Sequence, residues 1–104
     1  MKNPTRATHP GEILQGELLT PRNITQAELA RRLKVSVRRV NDICRGKRGI
    51  TYDTALRLAL CFNLGVEGVE FWMNLQHNYE KRLWKEILTK QEKVIRKQVQ
   101  SLPD

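Results

Sequence analysis

The sequence has little of what most catalytic assignments rest on. Its 104 residues include two cysteines and two histidines, and aromatic residues make up 6% of the chain. Cys44 and Cys61 stand without a CxxC pair or a Cys/His set near them, which argues against a zinc site. At helical spacing they read as small, reduced core thiols. His9 and His77 are isolated, and there is no glycine-rich phosphate loop, nucleophile elbow, metal-binding helix or paired carboxylate constellation. These absences exclude the common enzyme classes, and no catalytic residue, metal, cofactor or small-molecule ligand is expected. No apolar run approaches the roughly 18 residues that a membrane span needs. The opening "MKNPTRATHPGE" carries positive charge with no apolar segment behind it, so neither a cleavable signal nor a membrane partner is expected, and the location is expected to be cytoplasmic.

Acid is also scarce. Eleven Asp and Glu face nineteen Lys and Arg, giving a net charge of +8 and a pI near 10.0. The excess is local: "TQAELARRLKVSVRRVNDICRGKRG" holds eight basic residues from Arg31 to Arg48 against the single acid Asp42, a net +7. A solvated surface ordinarily interleaves the two signs, whereas a basic excess confined to one segment is the footprint of a polyanionic partner.

The length suits one domain. Residues 1–8 are polar and aperiodic and are expected to form a mobile lead-in, residues 9–88 the domain, and residues 89–104 a polar C-terminal tail. Pro10 followed by "GEILQGELL" predicts a first helix over 10–19, with Ile13, Leu14, Leu18 and Leu19 at helical spacing. Thr25 with Glu28 is a capping-box signature that opens a second helix from Gln26 to Lys34. Ser36 caps a third, "VRRVNDICR", which Gly46 can terminate. Thr51 caps a fourth, "YDTALRLALCF", with Ala55, Leu58, Ala59 and Phe62 as its apolar stripe, and Asp53 is a first-turn acid favoured by the helix dipole. After "NLGVEG" a long amphipathic helix begins, in which Phe71, Trp72, Leu75, Tyr79, Leu83 and Ile87 recur at steps of three or four. Past Leu88 only Val94, Ile95 and Val99 remain to bury, and this part either extends the helix or frays. The fold class is all-α.

Two short helices joined by a tight turn over 26–45 form a helix-turn-helix candidate. On the second, Leu29, Ala30 and Leu33 point inward, and the smallness of Ala30 lets the third approach. On the third, Val40, Ile43 and Cys44 face the core, and Arg38, Asn41, Asp42 and Arg45 face outward, with Val37 at the margin, where a thymine methyl is within its repertoire. Arg38 and Asn41 have the chemistry to read guanine and adenine edges. Thr25 and Gln26, at a helix N-terminus, and Arg45, Lys47 and Arg48, at the end of the third helix and in the following loop, suit phosphate contacts. Arg31, Arg32 and Arg57 read equally well as solvated surface. Tyr79, Trp72 and Trp84 lie on a helical stripe and read as core or interface rather than base-stacking platforms. Phe71, Trp72, Leu75, Tyr79 and Leu83 together form the expected dimerisation face.

The segments "HPGEIL", "TQAELARRL", "VSVRRVNDICRGKRGIT", "DTALRLAL" and "EFWMNLQHNYE" appear in the order and spacing of the HigA-type antitoxins, also called virulence-associated protein I relatives. These are a branch of the lambda-repressor-like helix-turn-helix proteins, and the resemblance spans residues 9–84. It implies a five-helix domain, here with an extended C-terminal helix, that forms a homodimer, binds a double-stranded DNA operator in its own promoter and neutralises a HigB-type ribonuclease toxin. It also implies that base reading falls to Ser36, Val37, Arg38, Arg39 and Asn41, with Gln26, Lys47 and Arg48 near phosphates. The sequence departs from the family pattern in three places. Lys34 stands where such turns usually have glycine, the connection before Glu70-Phe71-Trp72 is longer, and so is the tail after Trp84. A stand-alone repressor and an RNA-binding adaptor are the rival readings.

Overall fold

The computed structural model describes residues 8–103. The expected lead-in therefore lies, apart from Thr8, outside the described residues. Helices account for the architecture, and no strand occurs among the described residues. α1 spans Pro10–Ile13 and continues as a π-helical segment over Leu14–Leu19; α2 spans Gln26–Leu33, α3 Val37–Cys44, α4 Tyr52–Cys61 and α5 Glu67–Gln98.

The caps set these boundaries. The hydroxyls of Thr25, Ser36 and Thr51 accept the backbone N–H groups of Glu28, Arg39 and Thr54 at 3.0, 3.1 and 3.3 Å. Each satisfies one donor that an N-terminal turn leaves orphaned. Only half of the capping box expected at Thr25 forms, because the Glu28 carboxylate turns to Arg32 at 3.0 Å instead. The reciprocal box sits at α1. There the His9 imidazole Nδ1 accepts from the Gly11 N–H at 2.9 Å, and the His9 N–H donates to the Glu12 carboxylate at 3.2 Å. Gly46 ends α3 with φ +76°, in the left-handed region where only glycine is free of a Cβ penalty. Lys34 makes the corresponding turn after α2 with φ 60° and ψ 44°, in the left-handed region, so a non-glycine residue bears the strain there.

Leu14, Leu19, Leu29, Ala30, Leu33, Val40, Ile43, Ile50, Ala55, Leu58 and Trp72 close one core. Leu14 and Leu19 are five residues apart yet both are fully buried. The π-helical step, marked by the Thr20 N–H to Gln15 carbonyl bond at 2.9 Å, brings them to one side, which a uniform α-helix over 10–19 would not. α1 meets α3 at backbone distance: a Cβ on Gly11 would lie 1.8 Å from the Ile43 carbonyl oxygen. α5 starts at Glu67, inside the expected connection 63–68, and runs past Leu88 to Gln98, so most of the expected polar tail is helix. Only its first part is docked, through Gly68, Trp72 and Gln76; from Lys81 onward every described residue is exposed. The molecule is accordingly elongated, 57 × 27 × 24 Å.

Candidate nucleic-acid interface

α2 and α3 pack through Leu29, Ala30 and Leu33 against Val40 and Ile43, all buried, which turns the opposite face of α3 outward. Val37 is 49% exposed. The Arg38 side chain is 90% exposed and lies 3.8 Å from Asp42, a loose pair that leaves the guanidinium in solvent. Asn41 is half-buried beside it and donates from Nδ2 to Gln26 Oε1 at 3.0 Å, so the N-terminus of α2 is tied to the outward face of α3. Ser36 is exposed, its hydroxyl occupied by the cap.

Arg39 departs from the base-reading role. Its guanidinium bonds Asp53 at 3.0 Å and the Thr54 hydroxyl, and its side chain is 23% exposed. The helix turns Arg39 towards α4, where it braces the position of α3. Asp53 also takes Arg57 at 2.8 Å. The hydrogen bonds from Arg57 and Arg39 hold its carboxyl below the ordinary carboxylate value of 3.8, so this bridge is complete at neutral pH and is lost only as pH falls through the acid range. Arg57 donates to the Leu33 carbonyl at 2.8 Å as well, closing the C-terminus of α2. It is therefore a structural tie, whereas Arg32 pairs with Glu28 on its own helix and stays largely exposed.

The loop after α3 folds back on its own helix: the Lys47 and Arg48 N–H groups both bond the Asp42 carbonyl, at 2.8 and 3.2 Å. Arg45, Lys47 and Arg48 are exposed and form no ion pair with any described residue. Uncompensated cations of this kind at the end of a helix face suit phosphates. Thr25, exposed at the start of α2, has its hydroxyl in the cap, and the Gln26 side chain is engaged with Gln15 and Asn41.

Two residues with no evident sequence role hold this loop in place. Gln76 is buried in α5; its Oε1 accepts the Ile50 N–H at 2.7 Å and its Nε2 donates to Glu80 at 2.8 Å. His9 is buried against Tyr79, ring centroids 4.8 Å apart and nearly perpendicular. Burial lowers the His9 pKa from its ordinary 6.5, against the opposing pull of the Glu12 carboxylate and a hydrogen bond with the Arg48 backbone. With the folded value below the unfolded one, the unfolded chain binds more protons between the two. The stability that neutral His9 contributes is therefore present above 6.5 and lost as pH falls through the folded value. His9→Asn keeps an N-cap acceptor without a titrating ring, and thermal melts between about pH 7 and 5 are expected to show a shallower fall in Tm than wild type, from a lower starting Tm. An unchanged slope would clear His9 of this dependence.

Of the expected dimerisation face, Phe71 and Leu83 are 46% and 38% exposed, and Leu75 and Tyr79 are half-buried. Trp72 is a correction: it is fully buried in the monomer core and presents no surface. Large exposed apolar residues instead continue outward along α5 as Trp84, Ile87 and Leu88. Cys44 and Cys61 are free thiols. Burial pushes the Cys44 pKa up to about 11, which keeps it protonated and unreactive at neutral pH. Among the described residues no His, Cys, Asp and Glu group is placed to hold a metal, and no helix is long and apolar enough to cross a membrane.

A sequence profile described as helix-turn-helix matches residues 16–69. Virulence-associated protein I of Dichelobacter nodosus is 44% identical over 82 residues, covering 79% of this chain and 73% of the relative. Among solved structures, the Pseudomonas aeruginosa antitoxin HigA with the higBA promoter superposes with a TM-score of 0.74 at 42% identity, over 94% of this chain and 100% of that one. Antitoxin GraA in complex with its operator gives 0.75 at 36% identity, over 100% and 99%. With its capped α2 and α3, its basic outward face and these likenesses, the chain belongs to the helix-turn-helix family, in the lambda-repressor-like branch of the HigA-type antitoxins and virulence-associated protein I.

Proposed function

We propose that this protein is a sequence-specific DNA-binding antitoxin that acts in the cytoplasm as a homodimer, represses its own operon and neutralises a HigB-type ribonuclease toxin. The observation that carries the DNA side is the outward face of α3: Val37, Arg38 and Asn41 present base-reading chemistry, and Arg45, Lys47 and Arg48 stand exposed without an acidic partner among the described residues. Two structural neighbours, one solved with promoter DNA and one with its operator, support the DNA-binding reading. Arg39 serves this face indirectly, by bracing α3 on Asp53 and Thr54. The toxin side is supported by the antitoxin identity of those neighbours. It separates from the stand-alone repressor reading by co-expression with the adjacent open reading frame: an antitoxin restores growth and co-purifies with the toxin, a stand-alone repressor does neither.

The DNA reading is tested by two substitutions with different expected signatures. Arg38→Ala should cost about 1 to 3 kcal/mol on the operator and relax selectivity at one base pair. Lys47→Ala should weaken operator and random duplex by similar factors and reduce the salt-dependence slope by about 1. Fluorescence anisotropy titrations at several salt concentrations measure both. Identical behaviour of the two variants would remove the division between residues that read bases and residues that hold phosphates.

A further inference from the structure

Gln15, Gln26 and Asn41 come from three separate helical segments and form one chain of side-chain amides. Asn41 Nδ2 donates to Gln26 Oε1 at 3.0 Å, Gln26 Nε2 to Gln15 Oε1 at 2.8 Å, and Gln15 Nε2 to the Thr20 hydroxyl at 3.0 Å. The last link depends on the π-helical segment. Side chains five residues apart point to different sides of an α-helix, but the Thr20 N–H to Gln15 carbonyl bond at 2.9 Å adds the extra residue to the turn and brings them together. Neither oxygen of the Gln26 and Gln15 amides is left without a donor, and every link donates in the same direction, away from α3.

Direction matters because an amide oxygen only accepts and an amide nitrogen only donates. With one Nδ2 hydrogen committed to Gln26, Asn41 retains Oδ1 and its second Nδ2 hydrogen. That acceptor and donor are the pair that adenine's N6 amino group and N7 require in the major groove. Turned over, Asn41 would accept from Gln26 and offer two hydrogens, which match the acceptors N7 and O6 of guanine. We propose that Gln15, outside the helix-turn-helix itself, is a specificity-determining positioning residue that acts through Gln26 to hold the Asn41 amide in its adenine-reading orientation. The proposal rests on the reading of α3 as the element that enters the major groove.

The test starts from duplexes that the wild-type protein selects from a randomised pool. Each base pair of the selected site is then replaced singly, and affinities are measured for wild type, Asn41→Ala, Gln15→Met and Gln15→Glu. Asn41→Ala is expected to lose the preference for adenine at one position. Gln15→Met, similar in size, is expected to lose about tenfold of that same preference with affinity for random duplex unchanged. Gln15→Glu, whose carboxylate still accepts from Gln26, is expected to retain it. A residue that only supported the fold would lower Tm and all affinities together without singling out one base pair. Should Gln15→Met not fold, Gln26→Met cuts the chain one link closer and is expected to show the same loss at the same position. If Asn41→Ala loses a preference that both relay variants keep, the relay is overturned while the groove reading stands. If Asn41→Ala changes preference nowhere, both are overturned.

Discussion

Trp72→Ala should destabilise the protein by about 3 to 5 kcal/mol, a large share of the roughly 5 to 15 kcal/mol that holds a typical domain together. Trp72 is among the largest fully buried side chains and joins α5 to the core formed by α1 to α4, so its removal leaves a cavity that helices on several sides would have to close. Circular-dichroism melts should show Tm lowered by more than about 12 °C. Trp72→Phe should cost less than the lost volume suggests, because the indole Nε1 is buried without a hydrogen-bond partner among the described residues and its removal offsets part of the loss. The neighbouring change, Phe71→Ser, touches a half-exposed ring and should alter monomer stability by under about 1 kcal/mol while weakening dimerisation. If Trp72→Ala melted like wild type but lost its dimer, the side chain would belong to the interface and not to the core.

The second large effect belongs to the operator. A twofold dimer would set two α3 helices about 34 Å apart, one turn of the duplex. Inserting about five base pairs between the half-sites of the preferred duplex rotates one of them to the opposite side. Affinity should then fall on the order of 10²-fold or more, because the second contact no longer adds to the first, and about ten inserted base pairs should restore part of it. Gel-shift titrations across a spacer series measure this, with light scattering to fix the mass. Equal affinity for every spacing, together with a monomer in solution, would rule the dimer out and leave the exposed stripe of α5 to the toxin.

The parts of this structure legible in the sequence are those set by local chemistry. Thr25, Ser36 and Thr51 mark helix starts because a hydroxyl at that position has one obvious donor nearby, and the faces of α2 and α3 follow from a period of 3.6. Adjacent residues on a long stripe are harder: Phe71 and Trp72 both fit the apolar face of α5, and only the placement of the other helices decides that Trp72 is buried and Phe71 exposed. The role of Arg39 was hidden because its partners Asp53 and Thr54 lie fourteen and fifteen residues away. Gln76 and Gln15 gave no signal, since a glutamine's value here lies in a donor or acceptor that the fold supplies, Ile50 in one case and Gln26 in the other. The π-helical turn had one faint sign, Gly16 within the first helix. His9 could have been found as a cap from Glu12 three residues on.

α5 also has a helix–coil consequence. In a free peptide the first turn is the costly step, with a nucleation factor on the order of 10⁻³, and later residues add one backbone bond each. Here the docked turns around Gly68, Trp72 and Gln76 serve as the nucleus, and residues 81–98 propagate from it in solvent, with side-chain links such as Thr89 to the Lys85 carbonyl running along the helix itself. Unwinding therefore begins at Gln98 and travels inward, and the order of the whole exposed half depends on an indole about two and a half turns before Lys81.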